Sequence, residues 1–188
     1  MLLAALLSFC YKDGATFNIF LAGISVLLFG VLAMFCTKNH TKEMNKREGY
    51  LVVTFGWIVM TLSGTLPYLF TGAIPEFTNA IFETISGYTT TGSTILNDIE
   101  SLPKGILFWR SLTHWIGGMG IIVLAIAILP LLGIGGMQLF AAEAPGPSAD
   151  KLHPRITDTA KRLWLIYFGY TAAETLFLSL AGMSFFDA

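Results

Sequence analysis

Ser86-Gly87-Tyr88-Thr89-Thr90-Thr91-Gly92-Ser93-Thr94 is the stretch that decides how this chain reads. Consecutive threonines, a glycine and two more hydroxyl residues make a poor helix, because β-branched and glycyl residues both lose entropy there. They make an odd strand as well. The run lies between long apolar segments and follows a short amphipathic one. Over 188 residues, 54% are hydrophobic and 12% charged, with a mean hydropathy of +0.68. A soluble domain carries roughly 25% charged residues. The chain therefore reads as an all-α polytopic membrane protein.

Spanning a bilayer takes roughly 20 apolar residues. Met1–Cys10 is too short, and reads as the end of a spanning helix whose start is missing. It lacks the basic start and small-residue cleavage site of a signal peptide. Residues 15–36 form the first full span and 49–70 the second, broken near its end by Pro67. A long loop, 71–103, carries the threonine run. Residues 104–129 form the third span, stopping at Pro130. After a polar connection with Pro145-Gly146-Pro147, the last span begins at Lys161. The organisation is a leading region at 1–48, one span–loop–span unit at 49–130, a connection at 131–160, and the first span of a second unit at 161–188.

Lys and Arg in the loops set orientation. Lys38, Lys42, Lys46 and Arg47 lie in 37–48, and Lys151, Arg155, Lys161 and Arg162 flank the last span. Residues 71–103 hold neither Lys nor Arg, but they do hold Glu76, Glu83, Asp98 and Glu100. Loops 37–48 and 131–160 are thus expected in the cytoplasm and the threonine run outside, with Lys12 on an outer turn as a minor exception. Cys10 and Cys36 read as small hydrophobes. No His, Cys and carboxylate cluster has metal-ligand spacing, and no basic stripe suits nucleic acid. No organic cofactor is expected.

Within the outer loop, Thr78 is a plausible N-cap for a short helix over 79–86, with Pro75 just before it. Ile81, Phe82 and Ile85 share one face. At 1.5 Å per residue this piece is roughly 12–15 Å long, enough to enter a membrane halfway but not to cross it. Irregular backbone at that depth survives only inside protein or beside a wet cavity. An extended, partly left-handed run can offer a dehydrated cation a row of carbonyls, with glycine supplying the unusual φ and threonine a further hydroxyl. The potassium-channel filter T-V-G-Y-G has the same layout, in register with Thr90-Thr91-Gly92-Ser93-Thr94. The carbonyls of Thr89, Thr90, Thr91 and Gly92 are the candidate ligands. The C-terminal end of the half-helix would present its partial negative charge to a waiting cation.

A span, a half-helix, a T-T-G run and a second span form the unit of the Trk/Ktr/HKT superfamily of potassium transporters, and the detail resembles its bacterial TrkH branch. The resemblance rests on Lys46-Arg47-Glu48-Gly49, on Phe82 through Thr94, on Ser101-Leu102-Pro103 and Phe108-Trp109-Arg110. It continues through Trp115-Ile116-Gly117-Gly118-Met119-Gly120, Ile128-Leu129-Pro130, Gly135-Gly136-Met137-Gln138-Leu139 and Glu143-Ala144-Pro145-Gly146-Pro147. It implies a selectivity filter at Thr89, Thr90, Thr91, Gly92, Ser93 and Thr94, with potassium held at Thr90, Thr91 and Gly92. It implies four such units around a pseudo-fourfold pore, a homodimer in the bacterial inner membrane, and a cytoplasmic nucleotide-binding regulatory subunit of the TrkA kind. Glycine at the Gly92 position goes with potassium selectivity, and serine there with sodium permeation in plant relatives. On size, the chain looks like the N-terminal portion of such a transporter, so the remaining pore units would be its partners.

A charge buried in a membrane is costly unless paired, so Glu83 on the half-helix and Arg110 on the next span are expected to form an ion pair. The competing expectation is that Arg110 reaches to the interface. Gly117, Gly118 and Gly120 read as a packing face against the half-helix rather than a nucleotide fingerprint. Gly133, Gly135 and Gly136 read as a flexible cytoplasmic turn. Glu174 in the last span reads as a structural carboxylate ahead of a proton or cation relay. His114 reads as packed and hydrogen-bonded, and His40 and His153 as solvated. The alternatives are a short subunit forming a homo-oligomeric cation channel, and a non-transporting membrane scaffold subunit or intramembrane enzyme with the threonine run as a plain loop.

Overall fold

The computed structural model describes residues 1–37, 46–131 and 156–188, with side chains described for 1–37, 51–120 and 162–188. Their regular secondary structure is all helical, with no strand among them. The helices are α1 (Leu2–Tyr11), α2 (Thr16–Thr37), α3 (Lys46–Thr71), α4 (Phe77–Tyr88), α5 (Lys104–Leu131) and α6 (Ile156–Leu180). Residues 38–45 and 132–155 hold most of the basic loops, His40, His153, the 133–136 glycines and the 145–147 turn. They lie outside the described residues.

Among the described residues, three helical segments are long and apolar enough to cross a membrane: Thr16–Thr37, Leu51–Thr71 and Arg162–Leu180. They fall on expected spans. The expected span at 104–129 falls on α5, most of whose second half has no described side chains. Apolar outer faces, with Phe17, Leu28 and Phe35 on α2 and Phe55 and Leu62 on α3, are exposed. Hydrocarbon, not water, suits such faces.

Pro67 does not break α3, which runs on to Thr71. Proline in a helix removes one donor and loosens the preceding turn. Here Trp109 of α5 donates its Nε1–H to the Gly64 carbonyl at 3.0 Å, and Thr71 Oγ1 donates to the Pro67 carbonyl at 2.7 Å. Side chains thus add bonds to the Gly64 carbonyl, next to the Ser63 carbonyl that Pro67 leaves without its ladder amide, and to Pro67's own carbonyl; such extra donors are one way membrane helices tolerate proline.

Met1–Gly118 forms one compact unit. Its buried core draws Ala4 from α1, Ile19 from α2, Tyr68 from α3, Ala80 from α4, and Ile106 and Trp109 from α5. The leading helices are fixed to the start of α5. Lys12 closes α1 in the left-handed region at φ 53°. Asp13 then accepts from Ser8 Oγ, from the Ala15 amide at 3.1 Å, and from the Gly105 amide at 2.8 Å. A carboxylate at the first turn of α5 meets the positive end of that helix. A side chain at Gly105 would meet Ser8 Cβ at 2.6 Å and Ile19 Cδ1 at 2.8 Å, so glycine lets the elements touch.

Met119–Ala188 is the second unit. On α6 the Thr171 and Thr175 hydroxyls donate one turn back, to Tyr167 O at 3.0 Å and Thr171 O at 2.9 Å, which satisfies them inside an apolar helix. Glu174 is exposed on this helix.

Candidate selectivity filter

The helix before the threonine run is longer than expected: 12 residues, Phe77–Tyr88, or about 18 Å. Its N-cap is Glu76 rather than Thr78, without a side-chain bond to the helix amides. Extended backbone at Glu76 starts the helix two residues earlier and leaves Thr78 inside the first turn. There Glu76 Oε2 accepts from Asn79 Nδ2 at 2.7 Å. The helix is inside-out by soluble standards. Ala80, Glu83, Thr84, Ser86, Gly87 and Tyr88 are buried, while Phe82 and Ile85 are exposed. The polar side chains of this face are turned toward protein, and Phe82 and Ile85 face outward.

Small residues and hydroxyls bring α4 close to its neighbours. Thr65 and Thr84, both fully buried, share a hydrogen bond at 3.3 Å between α3 and α4. Gly64 leaves room for Tyr88, whose ring a Cβ there would meet at 2.8 Å. A Cβ at Gly87 would collide with Thr113 Oγ1 of α5. Gly117 is tightest: a Cβ would overlap the Tyr88 carbonyl oxygen and stand 2.8 Å from Tyr88 Cα. Gly118 is half-buried, and Gly120 faces open space among the described residues. Of the three, Gly117 is the one whose Cβ position is filled by α4 backbone. The half-helix ends at Tyr88, level with Gly117, and Gly120 lies almost a turn further along α5.

The threonine run starts by capping α4. The amides of Thr89, Thr90 and Thr91 bond Ile85 O at 2.8 Å, Gly87 O at 3.0 Å and Ser86 O at 3.0 Å. Thr90 takes φ 55° and Gly92 φ 77°, both left-handed. Glycine accepts that region freely, whereas a β-branched residue does not, so Thr90 is strained. The chain then continues without regular secondary structure through 91–96, and residues 89–94 are exposed. Among the described residues, the carbonyls of Thr89, Thr90, Thr91 and Gly92 accept no hydrogen bond. Ser93 differs, because its carbonyl accepts from Ser86 Oγ at 2.5 Å. The Thr89 hydroxyl donates to Ile85 O at 2.8 Å and stands 2.8 Å from that of Thr91.

Glu83 holds the far side of the run. Its side chain is fully buried, and Oε1 lies 2.7 Å from Arg110 Nε. Both carboxylate oxygens stand 3.0 Å from Thr94 Oγ1, and Oε2 accepts the Ile95 amide at 3.1 Å. One α4 carboxylate thus holds an α5 guanidinium and the outgoing limb of the loop together. The bonds to Thr94 and Ile95 escaped sequence reasoning, as did the Ser86–Ser93 bond and the Trp109–Gly64 bond. Only Glu83's placement between a hydroxyl-rich run and a membrane arginine hinted at the first. His114 is half-buried, its Nδ1 3.0 Å from Arg110 O. No group of three or more His, Cys, Asp or Glu able to hold a metal ion occurs among the described residues.

Apolar spans, an inside-out half-helix and an exposed hydroxyl-rich loop tied back to it define an all-helical, multi-pass membrane protein. A family model described as TrkH, cation transport protein, matches residues 15–184. The Trk system potassium uptake protein TrkH of Vibrio parahaemolyticus is 48% identical over 191 residues, covering 100% of this chain and 39% of that protein. TrkH of Escherichia coli K12 is 47% identical over the same share of each. TrkG of Escherichia coli K12 is 39% identical over 180 residues, covering 95% of this chain and 37% of its own length. The chain belongs to the TrkH family. It spans about two fifths of the length of these relatives.

Proposed function

We propose that this chain supplies one filter loop of a potassium uptake system. Potassium moves down its electrochemical gradient past the carbonyls of Thr89, Thr90, Thr91 and Gly92, with three equivalent loops from further pore units completing the ring. The observation that carries the reading is the left-handed backbone at Thr90 and Gly92, beside carbonyls that accept no hydrogen bond among the described residues. Hard carbonyl oxygens suit a dehydrated alkali cation, and one loop supplies only one side of its shell. The relatives' names, potassium uptake proteins of the Trk system, point to the same ion.

In this reading the residues divide the work. Thr90, Thr91 and Gly92 replace water. Ser93 gives its carbonyl to Ser86 and so serves as an anchor more than a ligand, and Thr94 anchors through its hydroxyl. Four filter loops belong around one pore, in a protein that forms a homodimer in the bacterial inner membrane. A nucleotide-binding regulatory subunit of the TrkA kind docks on the cytoplasmic side, where the 37–48 and 131–160 segments lie, and the filter faces outside.

The test is Gly92→Ser in the complete transporter. The expected outcome is a fall in potassium-over-sodium preference, since a side chain at φ 77° must displace backbone. An unchanged preference in a well-folded variant removes the filter assignment and leaves the run as a structural loop.

A further inference from the structure

The loop over 89–92 hangs between two anchors, and both are on α4. At its start, three amides close on the last carbonyls of α4. At its end, Ser86 Oγ holds the Ser93 carbonyl at 2.5 Å, and Glu83 holds the Thr94 hydroxyl at 3.0 Å and the Ile95 amide at 3.1 Å. Glu83, Ser86 and Gly87 stand at i, i+3 and i+4, one above another on the same buried face. The length of the loop is therefore measured out by a single rigid helix. Whether selectivity comes from cavity size or from the number and field of the carbonyls, it depends on where they sit.

We propose that Glu83 is a positioning residue for ion selectivity: its carboxylate fixes the outer limb at Thr94–Ile95 and so sets the spacing of the carbonyls below. The proposal rests on the filter reading above and adds a residue that touches no ion. Three donors converge on this carboxylate from two directions: Arg110 Nε at 2.7 Å from α5, and the Thr94 hydroxyl and Ile95 amide from the loop. An ionised carboxylate, acceptor-only, takes all three. Arg110 supplies the charge that makes burial of an ionised group tolerable. Bracing α4 on α5 needs only the pair. The two loop bonds have no part in that bracing, and they are what assigns Glu83 a role in the filter. A glutamine places an amide N–H₂ where acceptors are needed, so at least one of the donors loses its partner.

The experiment uses the complete transporter in vesicles of phosphatidylethanolamine and phosphatidylglycerol, with potassium and sodium uptake measured side by side. Gel filtration reports whether each variant is monodisperse. Thr94→Val removes the loop hydroxyl at an exposed position and leaves the Glu83–Arg110 pair intact. It is expected to lower potassium-over-sodium preference about tenfold, a factor that corresponds to about 1.4 kcal/mol. Thr94→Ser keeps the hydroxyl and is expected to retain the wild-type preference, which a loss of packing would not predict. Glu83→Gln is expected to fall with Thr94→Val. Should Glu83→Gln fail to assemble, the Thr94 pair decides alone. Gly92→Ser runs alongside. If it lowers preference while monodisperse Thr94→Val keeps the wild-type value, the positioning role is wrong and the filter reading stands. If Gly92→Ser changes nothing, the filter reading falls and the positioning role falls with it.

Discussion

Gly117→Ala tests the closest approach in the structure. Helix α5 passes the end of α4 at this residue, and the added methyl overlaps the Tyr88 carbonyl oxygen and sits 2.8 Å from Tyr88 Cα. Both atoms are backbone, so no rotamer change relieves the overlap; α5 or the turn at Tyr88 must shift. Overpacking of this kind costs about 1–3 kcal/mol, occasionally more. Replacing glycine by alanine inside a helix returns up to about 1 kcal/mol. Backbone obstruction puts the cost at the upper end, so the net expectation is a loss of about 2 kcal/mol. Gly120→Ala on the same helix places its methyl within 4 Å of no atom among the described residues and keeps the propensity gain. The assay is thermal unfolding of the complete transporter in one detergent, comparing both variants with wild type. Gly117→Ala should melt several degrees lower and Gly120→Ala no lower than wild type. Because Tyr88 leads directly into Thr89 and Thr90, Gly117→Ala should also reduce uptake in vesicles at temperatures where it remains folded. Equal melting of the two variants would refute the close-approach argument.

Three further outcomes follow from contacts elsewhere. Asp13→Ala removes the acceptor for the Gly105 and Ala15 amides and should cost about 1 kcal/mol, the worth of a helix cap, read as a lower melting temperature. Trp109→Phe keeps the ring in the core but leaves the Gly64 carbonyl without its indole donor in the turn Pro67 loosens; a loss of about 1–3 kcal/mol is expected from the same measurement. Asn97→Cys, in the exposed loop after the threonine run, should react with a membrane-impermeant maleimide added to intact cells. Labelling only after the membrane is opened would reverse the proposed sidedness.

Much of the fold was legible because membrane helices announce themselves by length and apolarity. Residues 15–36, 49–70 and 161–182 fall on helices Thr16–Thr37, Lys46–Thr71 and Ile156–Leu180, each of which contains a segment long and apolar enough to cross a membrane. What misled is also physical. Pro67 reads as a breaker because sequence shows the donor it lacks, and not Trp109, 42 positions further along the chain, bonding the carbonyl beside the loosened turn. Thr78 reads as an N-cap because hydroxyls suit that role, yet helix entry is set by where the backbone leaves the extended region, at Glu76. Gly117 and Gly120 look alike on paper, and only the end of α4 at Tyr88 separates them. The Glu83–Arg110 contact could be expected from cost alone, since each is an isolated charge in an apolar stretch. The bonds from Glu83 to Thr94 and Ile95 could not be, because they depend on the path of an irregular loop that no periodicity encodes.

That division bears on why an ion pair stands behind this loop at all. A buried pair is a weak source of stability, and well-packed apolar residues of the same volume often serve as well or better. Apolar residues, however, could not hold Thr94 and Ile95. The loop lacks the repeating hydrogen bonds of a helix or sheet, and its early carbonyls must stay free if they are to meet an ion. Its shape must therefore be imposed from the side facing protein, through directional bonds to Ser86 and Glu83. Those bonds need a polar acceptor in an apolar setting, and the charge on that acceptor needs Arg110. On the proposed filter reading, the inside-out face of α4 follows from the same requirement: a loop that presents oxygens to a pore must be held by polar groups facing inward, leaving Phe82 and Ile85 to face outward.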